Sequence, residues 1–121
     1  MKNEVKVVKN KIIIIYSGTY AIRTIDNIRF CNSSHNNSVL NFKTGNPLIA
    51  PVGLSKLVLL LPEEAFCKIH KRYLVHYAIM QEAIIKDGKI IYRKHVLPIT
   101  RECIAKFRCN AEAYHTSGKN E

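Results

Sequence analysis

The dipeptide Asp87-Gly88, set between the β-branched runs Ile84–Lys86 and Lys89–Tyr92, constrains this chain more than any other feature. A two-residue type I′ turn needs positive φ at both central positions, which Asp-Gly tolerates, and its twist matches two antiparallel strands. Ser17-Gly18 separates residues 12–16 from 19–22 in the same way, and Thr44-Gly45-Asn46 separates 39–42 from 47–49. Repeated hairpins in a 121-residue chain predict antiparallel strands throughout. The length allows one hydrophobic core and no second module of similar size.

One internal segment breaks the strand pattern. Leu54, Leu57, Val58 and Leu61 fall at i, i+3, i+4 and i+7 before Pro62, which predicts a short helix over residues 54–61. Leu59 and Leu60 make it apolar nearly all round, so it is expected to be buried on more than one side, as between sheets. A second helix is expected over residues 101–108, with Thr100 as N-cap and Ile104 and Phe107 facing inward. The expected fold is mainly β, with antiparallel sheets packed around a short buried helix and a short C-terminal helix. Residues 1–10 read as a charged arm, 11–109 as the domain and 110–121 as a polar, fraying tail.

Charge narrows the partner. Lys and Arg number 19 against 9 Asp and Glu, a net charge of +10, which favours a polyanion. From Phe66 to Arg108, ten lysines and arginines face only Glu82, Asp87 and Glu102. The longest apolar runs fall far short of the roughly 20 residues that span a bilayer, and the start has no secretory pattern, so no membrane partner is expected. Cys31, Cys67, Cys103 and Cys109 form no C-x-x-C pair. They read as free thiols of a reducing cytoplasm, with no metal site.

Three segments are candidates for binding. In FCKIHKR, residues 66–72, inward Cys67 and Ile69 leave Lys68 and His70 outward, with Lys71 and Arg72 at the strand end. Arg93-Lys94-His95 reads as a hairpin tip, with Arg101 shortly after; Lys68, Arg93 and Lys94 are expected to touch phosphate. The polar segment NSSHNNS, residues 32–38, reads as a loop whose Asn and Ser side chains suit base edges and phosphates.

Taken in order, GLSKLVLLLP at residues 53–62, FCKIHKRYLV at 66–75 and LPITR at 97–101 resemble the signature of LytTR-type DNA-binding domains over nearly the whole chain. The resemblance implies a free-standing domain of antiparallel sheets around a short helix that binds double-stranded DNA as a bacterial transcription regulator. Such domains present loops to successive major grooves and commonly act in pairs on repeated half-sites or as a homodimer. It implies that Ser38 stands where relatives place a base-contacting histidine, with His35 and Asn37 beside it. Lys71 would make a second contact and Arg101 a contact in a neighbouring groove. Arg72 and His76 stand where the family has serine and asparagine, so the bend after that strand is expected to be held differently. Only a short arm precedes Lys11, so a signal is expected to arrive through expression level, a partner or a ligand.

An enzyme is not expected. The five histidines lie on different elements, no G-x-S-x-G or H-E-x-x-H appears, and no cofactor motif is present. The alternatives are an RNA or single-strand module, for which Tyr73 and Tyr92 would have to form a stacking platform, and a protein-protein adaptor that has lost DNA binding.

Overall fold

The computed structural model describes residues 2–117, all in antiparallel strands, two helices and short connections. The strands β1 (Glu4–Val8), β2 (Lys11–Tyr16) and β3 (Thr19–Thr24) form the first sheet. After these come β4 (Ile28–Ser34), β5 (Asn37–Phe42), β6 (Leu48–Ala50) and helix α1 (Leu54–Leu60). The strands β7 (Phe66–His70) and β8 (Tyr73–His76) then complete a five-stranded sheet ordered β6-β5-β4-β8-β7. A third sheet, ordered β11-β10-β9, is built from β9 (Ile84–Lys86), β10 (Lys89–Tyr92) and β11 (His95–Pro98), and the chain ends in helix α2 (Arg101–Thr116). Antiparallel sheets with a C-terminal helix are the expected class.

The turns that predicted the hairpins have the required backbone. Ser17 and Gly18 take φ of 50° and 80°, and Asp87 and Gly88 take 52° and 72°. Two positive φ values in succession are the type I′ condition, so local chemistry sets these registers.

Two core clusters lie on either side of the five-stranded sheet's strands. One joins Ile12 and Ile14 of β2 to Cys31, Leu40 and the inward face of α1. The other joins Phe30, Ile69 and Val75 to Ile90 and Leu97 of the third sheet and Phe107 of α2. Alternation along strands assigns these side chains, since successive residues face opposite sides.

Five expectations are corrected. Helix α1 buries Leu54 and Leu57, and its C-cap Leu61 is buried too, but Leu59 stays 85% exposed, so the helix is covered on one side and not sandwiched. It packs on β4, β5 and β8, and Pro62 ends it before the remaining leucines find a second surface. Helix α2 runs eight residues past its expected end because Ala111 and Tyr114 continue the stripe begun by Ile104 and Phe107; a small residue and an amphipathic one carry little hydrophobic signal. Asn110 donates to the Tyr77 hydroxyl and His115 Nε2 lies 2.9 Å from the Tyr77 carbonyl oxygen, so residues 110–116 are packed helix; the last four tail residues lie outside the described residues. Thr100 starts α2 without a side-chain cap, its carbonyl accepting from Cys103 N–H instead. The expected charged arm contains β1, paired with β2 along its length, and Val5 and Val7 pack on the core; charge at every second position was strand alternation.

Candidate nucleic-acid interface

Strand register sorts the candidate residues onto two ends of the five-stranded sheet. At the near end, Ser34 of β4 pairs with Asn37 of β5, so the expected loop over residues 32–38 is two strand ends joined by a two-residue turn at His35 and Asn36. A hairpin satisfies backbone groups that a seven-residue loop would leave open, and polar residues on a sheet rim need no burial. His35 takes a φ of 55° and is exposed. Asn32 pairs with Tyr73 across β4 and β8, and Ser33 N–H donates to the Arg72 carbonyl oxygen at 3.0 Å. The Lys71-Arg72 turn therefore lies beside the His35-Asn36 turn.

The start of α2 joins the same end. Thr100 N–H donates to the Ile69 carbonyl oxygen at 3.0 Å, and the Cys103 thiol lies 3.6 Å from the Lys68 carbonyl oxygen. Arg101 is thus seated next to the end of β7, with Lys68 on that strand and Lys106 one turn further along α2. Lys68, Lys71, Arg72, Arg101 and Lys106 are all exposed, and among the described residues none of them forms an ion pair. Lys71, Arg72 and Arg101 lie on this rim, and Lys68 and Lys106 line a groove that runs from it along β7 and α2; together they form a surface whose counterions a polyanion can displace.

The bend between β7 and β8 is held by His70, whose Nδ1 accepts from Arg72 N–H at 3.1 Å. At the end of β8, His76 Nδ1 accepts from Ala78 N–H at 2.9 Å, capping the 3-10 turn Tyr77–Gln81. A side chain that caps through one acceptor atom does what asparagine does at a helix start. Of the two departures from the family pattern, His76 is a structural residue, whereas Arg72 lends only its backbone N–H to the bend and keeps its side chain exposed.

Geometry removes Ser38 from the surface and sets Arg93 and Lys94 apart from this rim. Ser38 is completely buried, and its hydroxyl donates to the Val52 carbonyl oxygen at 2.8 Å, so it fastens the segment before α1 and cannot reach a base. Its neighbour Asn37 is half-buried and donates its side-chain amide to the Tyr16 hydroxyl at 3.3 Å. Arg93 and Lys94 form their expected hairpin tip, but at the far end: the Arg93 guanidinium donates to the Lys43 carbonyl oxygen, and Lys43 lies just past Phe42, the partner of Ile28. At about 3.4 Å per residue, the seven residues of β4 separate that tip from His35 by roughly 20 Å. Arg93 also grips Glu82 through two bonds of 3.1 Å, which lowers the Glu82 carboxyl below its ordinary range and raises Arg93. Its charge is spent within the fold.

Sequence reasoning missed Arg29, buried with its guanidinium donating to the Asp26 carbonyl oxygen at 2.7 Å, and the full burial of His76. Burial, with Arg29 nearby, holds His76 down at about 4, and Asp26 Oδ1 at 3.8 Å offsets this only in part. The ring is uncharged at neutral pH, so that contact is no ion pair there. No periodicity marks either residue; a histidine ending a strand reads as surface.

No protein-family model matches the chain, and no curated protein matches its sequence. Among solved structures, it is similar to the LytTr DNA-binding domain of a putative methyl-accepting/DNA response regulator from Bacillus cereus, with a TM-score of 0.67 and 11% identity over 85% of this chain and 97% of that one. The chain has the LytTR-type fold. The resemblance read from three short motifs extends, as a fold, over 85% of the chain.

Proposed function

We propose that this chain binds double-stranded DNA through the near end of the five-stranded sheet and regulates bacterial transcription from the cytoplasm. One observation carries the reading: three separate projections, the His35-Asn36 turn, the Lys71-Arg72 turn and the start of α2 at Arg101, converge on one rim with their cations unpaired among the described residues. A similar fold is described as DNA-binding in the Bacillus cereus structure, which supports the choice of ligand. Arg101 reads a base edge, since arginine pairs with guanine through two bonds, and His35 with Asn36 reaches into an adjacent groove. Lys68, Lys71, Arg72 and Lys106 bind phosphate. Pairing of two copies on repeated half-sites extends the short footprint of one rim. The reading calls for no cofactor and no catalytic group. It also disfavours single strands, because Tyr92 is buried and Tyr73 half-buried, so neither of the two tyrosines expected to stack presents an open ring.

Binding isotherms on the duplex upstream of the chain's own gene, on random duplex and on single strands, at two salt concentrations, test this. With about five phosphates neutralised, log affinity falls with log salt at a slope of roughly 4 to 5. Arg101→Ala costs roughly 1 to 3 kcal/mol on the preferred duplex and much less on random DNA. Equal losses on both would reduce Arg101 to a phosphate contact. Preference for single strands, or no binding to any nucleic acid, would overturn the reading in favour of an RNA module or a protein adaptor.

A further inference from the structure

Alternation along the strands gives the β1-β2-β3 sheet two faces of different character. Its inward face sends Ile12 and Ile14 into the core shared with the five-stranded sheet, with Val5 and Val7 beside them. The opposite face points away from that core, and the register lays its side chains out in cross-strand rows. Glu4, Ile15 and Tyr20 make one row, Lys6, Ile13 and Ile22 the next, and Val8, Lys11 and Thr24 the last. Tyr20 is 57% exposed and Ile22 46%, Ile13 is half-buried, and Ile15 forms the floor between Glu4 and Tyr20; none of the four belongs to either core cluster. Scattered apolar residues on a surface are ordinary, but a contiguous apolar strip across the middle of a sheet face marks an interaction surface.

The charges on this face are placed so that a second copy answers them. Glu4 and Lys6 stand one row apart on β1, both exposed and without an ion pair among the described residues. A two-fold axis lying in the interface, and crossing the strands between the first two rows, lays each first row on the second row of the other copy. Glu4 then faces Lys6 twice over, Ile15 faces Ile13 and Tyr20 faces Ile22. Every contact is reciprocal, which is the condition for an isologous interface. Lys11, whose Nζ donates to Thr24 Oγ1 at 3.0 Å, falls outside the overlap, so no like charges meet. The outer face of the third sheet offers a contrast. Ile84, Ile91 and Val96 also form an apolar row there, but the next row holds Lys86 and Lys89, and two copies would bring only like charges together.

We propose that the outer face of the β1-β2-β3 sheet is a self-association surface, on which a second copy of this chain packs face to face across that axis. Three strands about 4.8 Å apart and two rows about 7 Å apart give an overlap on the order of a few hundred Å², below the roughly 800 Å² per partner of a stable interface. The pair is therefore weak in free solution. Two copies held side by side on one duplex would meet at a higher effective concentration, where the same contact suffices. The association itself needs no DNA and stands independently of the DNA reading.

Sedimentation equilibrium of the full chain without DNA, from tens of micromolar to about one millimolar, should show a reversible monomer–dimer equilibrium. Amide shifts on dilution should centre on Ile13, Ile15, Tyr20 and Ile22. Charge reversal makes the test specific to this pairing. Glu4→Lys alone and Lys6→Glu alone should each weaken the dimer about tenfold, because two reciprocal contacts turn repulsive together. An equimolar mixture of the two single variants should associate as tightly as the native chain, since each supplies the charge that the other lacks, and the double variant should regain the native affinity. Ile22→Ser, at an exposed position, should abolish the dimer, and Ile84→Ser on the third sheet should leave it unchanged. A chain that stays monomeric over the whole range, single reversals that leave the equilibrium unaltered, a mixture that shows no recovery, or dilution shifts centred on Leu59 or Ile84 would each overturn the proposal.

Discussion

At the near end of the five-stranded sheet Lys71, Arg72 and Arg101 lie exposed and form no ion pair among the described residues, whereas at the far end Arg93 gives its donors to Glu82 and Lys43. The histidines divide likewise: His35 stands exposed on a turn, while His76 is buried under Phe66 and Tyr114 and His95 is packed on Phe30. Basic residues on one rim remain available to a polyanion, and on the other they hold strands together. Local composition, rich in Lys, Arg and His at both ends, does not separate these roles. What separates them is whether the fold brings an acid or a carbonyl to the cation.

The comparison treats the two ends as parts of one rigid sheet, and the largest test bears on that. Leu57→Ala removes a fully buried side chain of α1 lying on β4, β5 and β8, and should lower stability by about 2 to 5 kcal/mol. Denaturant unfolding followed at amides of both ends should show one common midpoint. Separate transitions would mean that the ends are independent units.

Next in size is the response to acid, which belongs to the far end. His76 is held at about 4 when folded, below its ordinary 6.5, so the unfolded chain binds more protons between those values. Its stabilisation is complete above pH 6.5 and is lost as pH falls toward 4. At about 1.4 kcal/mol per pH unit this amounts to roughly 3 kcal/mol. His76→Asn, which keeps an acceptor for Ala78 N–H, should flatten the profile across that window; an unchanged slope would assign the acid response to another group.

Ser38 sharpens the near end. If it only fastens Val52, Ser38→Ala lowers stability by about 1 kcal/mol and leaves DNA affinity of the folded protein unchanged. A selective loss on the preferred duplex would return it to the interface.

The smallest effects compare cations directly. Arg93→Ala should change stability little, since its pair with Glu82 is exposed and screened by solvent. Lys71→Ala should lower the salt slope of DNA binding by about one, and Lys94→Ala should leave that slope unchanged. A matching drop for Lys94 would erase the distinction between the ends.

The hairpins at Ser17-Gly18 and Asp87-Gly88 were legible from two adjacent residues, because positive φ is a local demand that few residue types meet. Residues 54–61 likewise revealed their helix through spacing alone, and Pro62 its end. The rim of Lys71, Arg72 and Arg101 was legible only in outline: the motifs named the residues, but the bonds from Thr100 to Ile69 and from Ser33 to Arg72 bring them together. The rest was beyond one-dimensional reading for a physical reason. Whether a side chain is free depends on partners distant in sequence, as when Arg93 meets a carbonyl fifty residues away or Ser38 meets Val52 across the end of β6. Turn chemistry and periodicity are fixed by neighbours in the chain, and so the sequence by itself determined the elements and their antiparallel pairing. Burial and the pairing of charge are fixed by neighbours in space, and only the tertiary structure decided which of the basic residues still face outward.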